Sequence, residues 1–277
     1  MTSQRAVSGA PPRCETALRR HLVRNVCAVA LAVAAIAAWH PANAGKRLAV
    51  ADTAPPLVPL ASVAPDIVED MRYATPRNFT GRPVPGYEAP VCWLRPAVAK
   101  ALARVQADLA GASPPLSLAV LDCYRPRRRV AAFMNWARAG DDRATRNYHP
   151  SLARRALVPH GYIAASSTHS RGIAVDLTVV TRADASKSNV PANAPCTDAA
   201  ASAAEAGLDM GTTFDCFDAK SHTASPALTP AQRAARQTLK RAMERHGFTN
   251  YAKEWWHFTY SAADDGRSFD MPVTAPK

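Results

Sequence analysis

Apolar side chains recur at helical spacing in three places along the chain. Val98, Leu102, Val105 and Leu109 lie three or four apart between Pro96, suited to a first helical turn, and Gly111, suited to a stop. They predict a helix over about 96–110. A second, about 127–138, gathers Val130, Phe133, Met134 and Ala137 on one face and ends at Gly140. A third opens on Thr229 as N-cap with Pro230 in the first turn, and stops at Gly247. Elsewhere the period is two. Ile173, Val175, Leu177 and Val179 share one face of a strand, and Ala174, Asp176, Thr178 and Val180 share the other. Leu116–Leu121 and Trp256–Tyr260 read as further strands. Strands and helices do not alternate as regular βαβ units and no repeat is visible. The expected class is therefore α+β, a mainly antiparallel sheet with helices packed on it.

Between these elements the pattern is irregular. Residues 66–87 are polar and rich in turn formers (Gly81, Pro83, Pro85, Gly86), so tertiary contacts must hold them. Residues 45–65, rich in Ala, Pro and Val, read as a leader lying over the surface, and 182–208 as an inserted surface loop. The first 44 residues read as an address. Arginines precede an apolar run from Val26 to Trp39, which ends near Ala42-Asn43-Ala44, small residues of the kind signal peptidase accepts. As a membrane span the run is short of the roughly 20 apolar residues needed. Cleaved export to the periplasm or outside the cell is expected, with an uncleaved anchor as the competing reading. The partition is a signal peptide over 1–44, a leader over 45–65 and one domain over 66–277, with no stable membrane insertion after cleavage.

Charge and cysteines refine this picture. Of the net charge of +12, residues 1–44 carry four units, which leaves +8 on the remainder. The arginines are scattered and no nucleic-acid motif is present, so no nucleic-acid partner is expected. Attraction to an anionic wall or membrane surface suits an exported protein, although a charge of this size is more often simply that of a soluble surface. Cys92, Cys123, Cys196 and Cys216 remain beyond the signal, none of them in a CxxC. An even count in an oxidising compartment favours disulfides. Four cysteines allow three pairings and the sequence does not choose; Cys92–Cys123 with Cys196–Cys216 is the working expectation. Oligomeric state is not readable.

Two stretches carry chemistry. In Ser166-Ser167-Thr168-His169-Ser170-Arg171-Gly172-Ile173-Ala174-Val175-Asp176, a histidine in a small polar turn precedes an aspartate inside an apolar strand. A carboxylate flanked by Val175 and Leu177 is costly to bury unless paired or metal-bound. Pairing with an arginine would leave His169 an ordinary turn residue. In Lys253-Glu254-Trp255-Trp256-His257-Phe258, an acid and a histidine sit three apart in an aromatic cluster. A regular strand points them to opposite faces, so the chain must bend between them or Glu254 must precede the strand. By itself this stretch reads more simply as a core strand with Glu254 in water. Together, the two histidines and the aspartate leave a tetrahedral zinc one open position, and the spare glutamate can take a proton from water.

These residues resemble peptidase family M15, and within it the D-alanyl-D-alanine dipeptidases. The resemblance rests on Ser-x-His-x-x-Gly-x-x-x-Asp at Ser167 to Asp176 and on Glu-x-Trp-His at Glu254 to His257. It extends to Arg72-Tyr73-Ala74-Thr75 with Asn78-Phe79-Thr80-Gly81, to Asp122-Cys123-Tyr124-Arg125-Pro126 and to Met210-Gly211-Thr212-Thr213-Phe214-Asp215, over about residues 66–272. It implies one zinc ion per chain, held by His169, Asp176 and His257, with Glu254 as general base. It further implies that Arg125 stabilises the oxyanion at the scissile carbonyl. Asp215 would hold the substrate ammonium group, and Tyr73 and Ser167 would line the pocket. Arg127, Arg128 and Arg129, on the helix that follows, read as solvated. The implied substrate is a small D-amino-acid dipeptide or a peptidoglycan-derived peptide, and the implied reaction is hydrolysis of D-alanyl-D-alanine in cell-wall metabolism.

Two departures fall at the ammonium end of that pocket. The 182–208 segment is longer than in compact family members, and Cys216 follows Asp215 where an aromatic residue is expected. They leave open a carboxypeptidase that trims peptidoglycan stems. A zinc-stabilised wall-binding module is the reading of another class; Glu254 and Arg125 speak against it, since a structural zinc site needs neither. His149, His160, His222 and His246 lack a ligand partner at motif spacing.

Overall fold

The computed structural model describes residues 56–140, 143–181, 190–191 and 193–276. The expected signal peptide lies outside them. Among the described residues no helix is long and apolar enough to cross a membrane. The elements are β1 (Val58–Pro59), β2 (Val68–Glu69), β3 (Trp93–Leu94), α1 (Pro96–Ala110), β4 (Ser117–Asp122), α2 (Arg127–Arg138), α3 (Arg154–Leu157), β5 (Ala174–Val180), α4 (Ala199–Ala204), α5 (Pro230–Arg245), β6 (Thr249–Asn250) and β7 (His257–Thr259). Five strands form a sheet in the order β2-β4-β5-β7-β6, with β2 parallel to β4 and the other neighbours antiparallel. β1 and β3 make a separate antiparallel pair. The class is the α+β expected.

α1 buries Val98, Leu102, Val105 and Leu109, and packs on β4 and α5. α5 opens with a capping box: Thr229 Oγ1 accepts from Gln232 N at 3.2 Å, and Gln232 Oε1 accepts from Thr229 N at 3.0 Å. β4 and β5 are buried on both faces. The alternation along β5 therefore divides two interiors: Val175, Leu177 and Val179 belong to the apolar core, and Asp176 faces a cavity. Disulfides join Cys92 to Cys123 and Cys196 to Cys216.

Two segments differ from the sequence reading. Leu57, Leu60 and Ala64 are buried, and Leu60 N donates to Cys92 O at 2.8 Å. From Leu57 on, the expected surface leader is part of the core; lone leucines without periodic neighbours gave no sign of what covers them. The 182–208 segment is not all surface loop either. Its described part forms α4, capped by Asp198 Oδ1 accepting from Ala201 N at 2.9 Å, and buries Cys196, Ala201 and Ser202. Residues 66–87 are held by tertiary contacts, as expected: β2 joins the sheet, and Tyr73 and Phe79 pack on Phe133 with ring centroids 5.1 and 4.7 Å away.

Candidate active site

Sheet register sets polar residues side by side. Asp176 on β5 stands opposite Asp122 on β4 and opposite His257 on β7. Directly opposed residues of antiparallel strands share a face, so all three project the same way. A register shift between Val120 and Asp122 makes this possible, since in unbroken register Asp122 would face Val175. His169 arrives from the turn Thr168–Arg171, which Ser167 Oγ caps by accepting from His169 N at 3.2 Å. Gly172 ends that turn at φ 67°, where the backbone favours glycine and an added Cβ, 2.4 Å from Leu57 Cδ2, would have to push that side chain aside. Glu254 precedes β7. Its N donates to Tyr251 O at 2.9 Å and its O accepts from His257 N at 3.2 Å. This turn, rather than a kinked strand, lets Glu254 Oε2 come within 3.9 Å of His257 Nδ1.

His169 Nε2, His257 Nδ1 and Asp176 Oδ1 form a triangle. The two nitrogens are 3.1 Å apart, and the oxygen lies 3.2 Å from the first and 2.9 Å from the second. Among the described residues this is the one His/Cys/Asp/Glu group able to hold a metal ion. The outer ring nitrogens face acceptors: His169 Nδ1 is 2.6 Å from Cys123 O, and His257 Nε2 is 3.4 Å from Thr259 Oγ1. With N–H groups donated there, both inner nitrogens turn lone pairs toward each other and toward a carboxylate, an arrangement that calls for a cation between them. Tetrahedral bonds near 2.0–2.1 Å span edges of about 3.3 Å, close to those of the triangle.

Electrostatics point the same way. Burial pushes Asp176 up, but the two imidazoles outweigh it and hold the carboxyl well below the usual range. Burial lowers His257, which favours the neutral form a ligand needs. Asp122, Asp215 and Glu254 are each raised, by burial first and then, among the carboxylates near them, by Asp176. Arg125 is the guanidinium set among these acids: Nη2 lies 2.7 Å from Asp122 Oδ2 and 3.7 Å from Asp176 Oδ2. Its guanidinium carbon stands over the rings of Tyr73 and Phe133, 5.2 and 5.1 Å from their centres. Arg171 also reaches the cavity but pairs with Asp264 at 2.6 Å. Donor types, facing lone pairs and this negative excess all fit a divalent cation.

A cavity of about 350 Å³ collects all eight residues singled out in the sequence, with Phe79, Val130, Phe133, Ile163 and Phe217 as apolar lining. Asp215 occupies it in a left-handed backbone conformation, φ 59°. Its Oδ1 accepts from Tyr73 OH at 3.2 Å, while Oδ2 is buried without a partner. Burial and then Asp215 push the Tyr73 phenol well up, so it remains a donor. Arg127 and Arg128 are exposed, as read, and Arg129 is half-buried. His222 Nε2 meets Tyr162 OH at 3.0 Å, and His246 Nε2 meets Asp108 at 2.9 Å.

The sequence reading gave Asp122 no role. It is fully buried, accepts from Tyr87 OH at 2.9 Å, and grips Arg125 through Nε at 3.0 Å as well as Nη2. A charged residue closing an apolar strand was the available signal, the same anomaly that singled out Asp176. Tyr87 carries no such mark.

The family model described as D-ala-D-ala dipeptidase, peptidase family M15, matches residues 53–188 and 192–273. A D-alanyl-D-alanine dipeptidase of Enterococcus faecium is 35% identical over 206 residues, 74% of this chain and 91% of the relative. One of Streptomyces coelicolor is 34% identical over 206 residues, with the same shares. One of Escherichia coli is 31% identical over 204 residues, 73% of this chain and 83% of the relative. The family match starts at residue 53, ahead of the 66 read from the sequence and in step with the buried Leu57 and Leu60. With an α+β fold, a donor triangle beside a glutamate and matches over most of its length, the chain belongs to peptidase family M15 and is a peptidase.

Proposed function

We propose that this chain is a zinc-dependent dipeptidase of the cell envelope that hydrolyses D-alanyl-D-alanine to two D-alanine. The observation that carries the reading is Asp215 Oδ2, a buried carboxylate oxygen without a partner in the cavity of the donor triangle and Glu254. Such a group calls for a cation. The free amino group of a dipeptide supplies one, whereas the acylated nitrogen of a longer stem peptide does not. The relatives' names point to D-alanyl-D-alanine. Export is supported by the character of residues 1–44 and by two disulfides, which persist in oxidising compartments.

His169, Asp176 and His257 would hold the zinc. When bound, zinc acidifies water and polarises a carbonyl. Glu254 takes the proton of the attacking water and delivers it to the departing amine nitrogen, which regenerates its carboxylate. Arg125, held by Asp122, donates to the carbonyl oxygen as negative charge develops there. Asp215, oriented by Tyr73 OH, holds the ammonium group and so fixes where the scissile bond lies. Bound substrate against Phe79, Val130, Phe133, Ile163 and Phe217 would displace water from that side of the cavity, which strengthens each of these charge contacts.

Zinc-loaded protein given D-alanyl-D-alanine and, in parallel, a stem pentapeptide ending in the same two residues should release D-alanine from the dipeptide alone. Release from the pentapeptide moves the assignment to a carboxypeptidase. Release from neither, with zinc bound, points to another peptide substrate or to a binding module.

A further inference from the structure

Asp215 stands on unfavourable backbone. It is the one non-glycine among the described residues in the left-handed region, a conformation that persists only where the surroundings over-determine it. Its carboxylate contributes little, since Tyr73 OH is its hydrogen-bond partner and Oδ2 has none. The chain on either side does the holding. Cys216, the next residue, is fully buried and bonded to Cys196, and its carbonyl accepts from Ser221 Oγ at 2.6 Å. Cys196 is fastened in turn: its N donates to Asn147 O at 2.8 Å, and its O accepts from Thr213 N at 3.0 Å. The Asp215 turn is therefore tied twice to one point, by a hydrogen bond at Thr213 and by a covalent bond at Cys216. The flanking Phe214 and Phe217 are also buried, with ring centroids 5.5 Å from Trp256 and 5.1 Å from Phe79, and Phe217 N donates to Tyr148 O at 2.8 Å. Among these fastenings the disulfide is the covalent one, and it reaches the residue next to Asp215.

We infer that the Cys196–Cys216 disulfide is a positioning element of the site: it keeps Asp215 in register with the substrate's amino group and so sets the preference for a free N-terminus. This rests on the ammonium-binding reading of Asp215 given above. With the covalent tie cut, the backbone at 215 relaxes toward an ordinary conformation and the carboxylate leaves its place, and small misplacements of this kind are costly in a preorganised site. Because the pair forms where thiols oxidise, the chain reaches its full affinity for dipeptide only in an oxidising compartment. The Cys92–Cys123 disulfide bears on the opposite function, through Cys123 O and His169 Nδ1. Loss of one is felt at the amino group, and loss of the other at the metal.

The test compares the zinc-loaded wild type with Cys196→Ala/Cys216→Ala on D-alanyl-D-alanine and on its N-acetylated form, with zinc content measured alongside. KM for the dipeptide should rise about tenfold or more, as expected for a weakened charged hydrogen bond. Zinc content and kcat should hold, and discrimination against the acetylated substrate should narrow by the same factor. An unchanged KM in a zinc-binding variant, or a loss confined to kcat, overturns the inference. Asp215→Asn separates the two levels. If it leaves KM unmoved, the ammonium reading has failed and the disulfide inference goes with it. If it raises KM and the cysteine variant does not, the disulfide inference alone falls. Should the cysteine variant lose zinc, the wild type reduced with a phosphine replaces it. Because this also opens Cys92–Cys123, a rise in KM at undiminished zinc content, reversed by reoxidation, supports the inference, and an unchanged KM or a loss that tracks zinc content overturns it.

Discussion

Asp215→Asn keeps the shape of the side chain and the oxygen that Tyr73 OH needs, and removes the charge from Oδ2. Without metal or substrate, that charge is a burden on the fold. Burial, and then Asp176, push the Asp215 carboxyl well above its ordinary value. An acid raised on folding binds more protons folded than unfolded between the two pKa values, so its contribution to stability falls as pH rises through that window. The window opens near the ordinary value of about 4, and each unit within it is worth about 1.4 kcal/mol. Asparagine removes the slope. The amide left behind is also unpaired, but a neutral group costs less to bury than a charge. The metal-free variant should therefore be more stable than the metal-free wild type at neutral pH, by a margin that grows with pH and vanishes near about pH 4. With substrate the sign reverses. A hydrogen bond between charged partners contributes about 1.5–3 kcal/mol, so losing it should raise KM about 10- to 150-fold. kcat should move far less, because the contact is made equally in ground and transition states. Urea unfolding of chelated protein across that pH range and coupled detection of released D-alanine measure the two effects. A variant less stable than wild type at neutral pH refutes the uncompensated charge; an unmoved KM refutes its meeting the substrate.

Three further outcomes are expected. Glu254→Ala should lower kcat by about 10²–10⁴ while metal analysis shows the ion retained; simultaneous loss of metal would mean that Glu254 is a ligand. Chelation of the wild type should abolish D-alanine release and lower Tm, with zinc restoring both, because the donor triangle then lacks the cation its facing lone pairs require. Gly172→Ala should destabilise the fold by more than about 1 kcal/mol in chemical denaturation, since φ is 67° and the new Cβ meets Leu57. Stability equal to wild type would show that the His169 turn is not braced there.

The helices were legible because their ends carry residues with backbone meaning. Pro96 with Gly111 brackets one periodic apolar face and Gly140 ends another, and α1 and α2 keep the bounds so predicted. β1, β2, β3 and β6 have two residues each, too few for any period to show. The burial of Leu57 and Leu60 was hidden for a related reason: what covers them, such as Cys92 and Gly172, lies far along the chain. The spacing of Glu254 and His257 posed a conflict that the sequence stated but did not resolve. Beginning β7 at His257 resolves it.

Read without the fold, the amino-acid sequence narrows the candidate chemistry to a few residues. An ionisable side chain inside an apolar strand is anomalous, and Asp176 stands out on that ground; His169, His257 and Glu254 gain their meaning when the two stretches are read together and beside the pattern of family M15. How they meet is a property of the folded chain. Asp122, Asp176 and His257 come from three strands, and their common face depends on pairing register and on one slip between Val120 and Asp122. The choice of disulfides, the grip of Asp122 on Arg125 and the partnerless oxygen of Asp215 are likewise long-range. Local propensity acts over a turn or a strand, whereas these contacts exist only once distant segments have closed on one another.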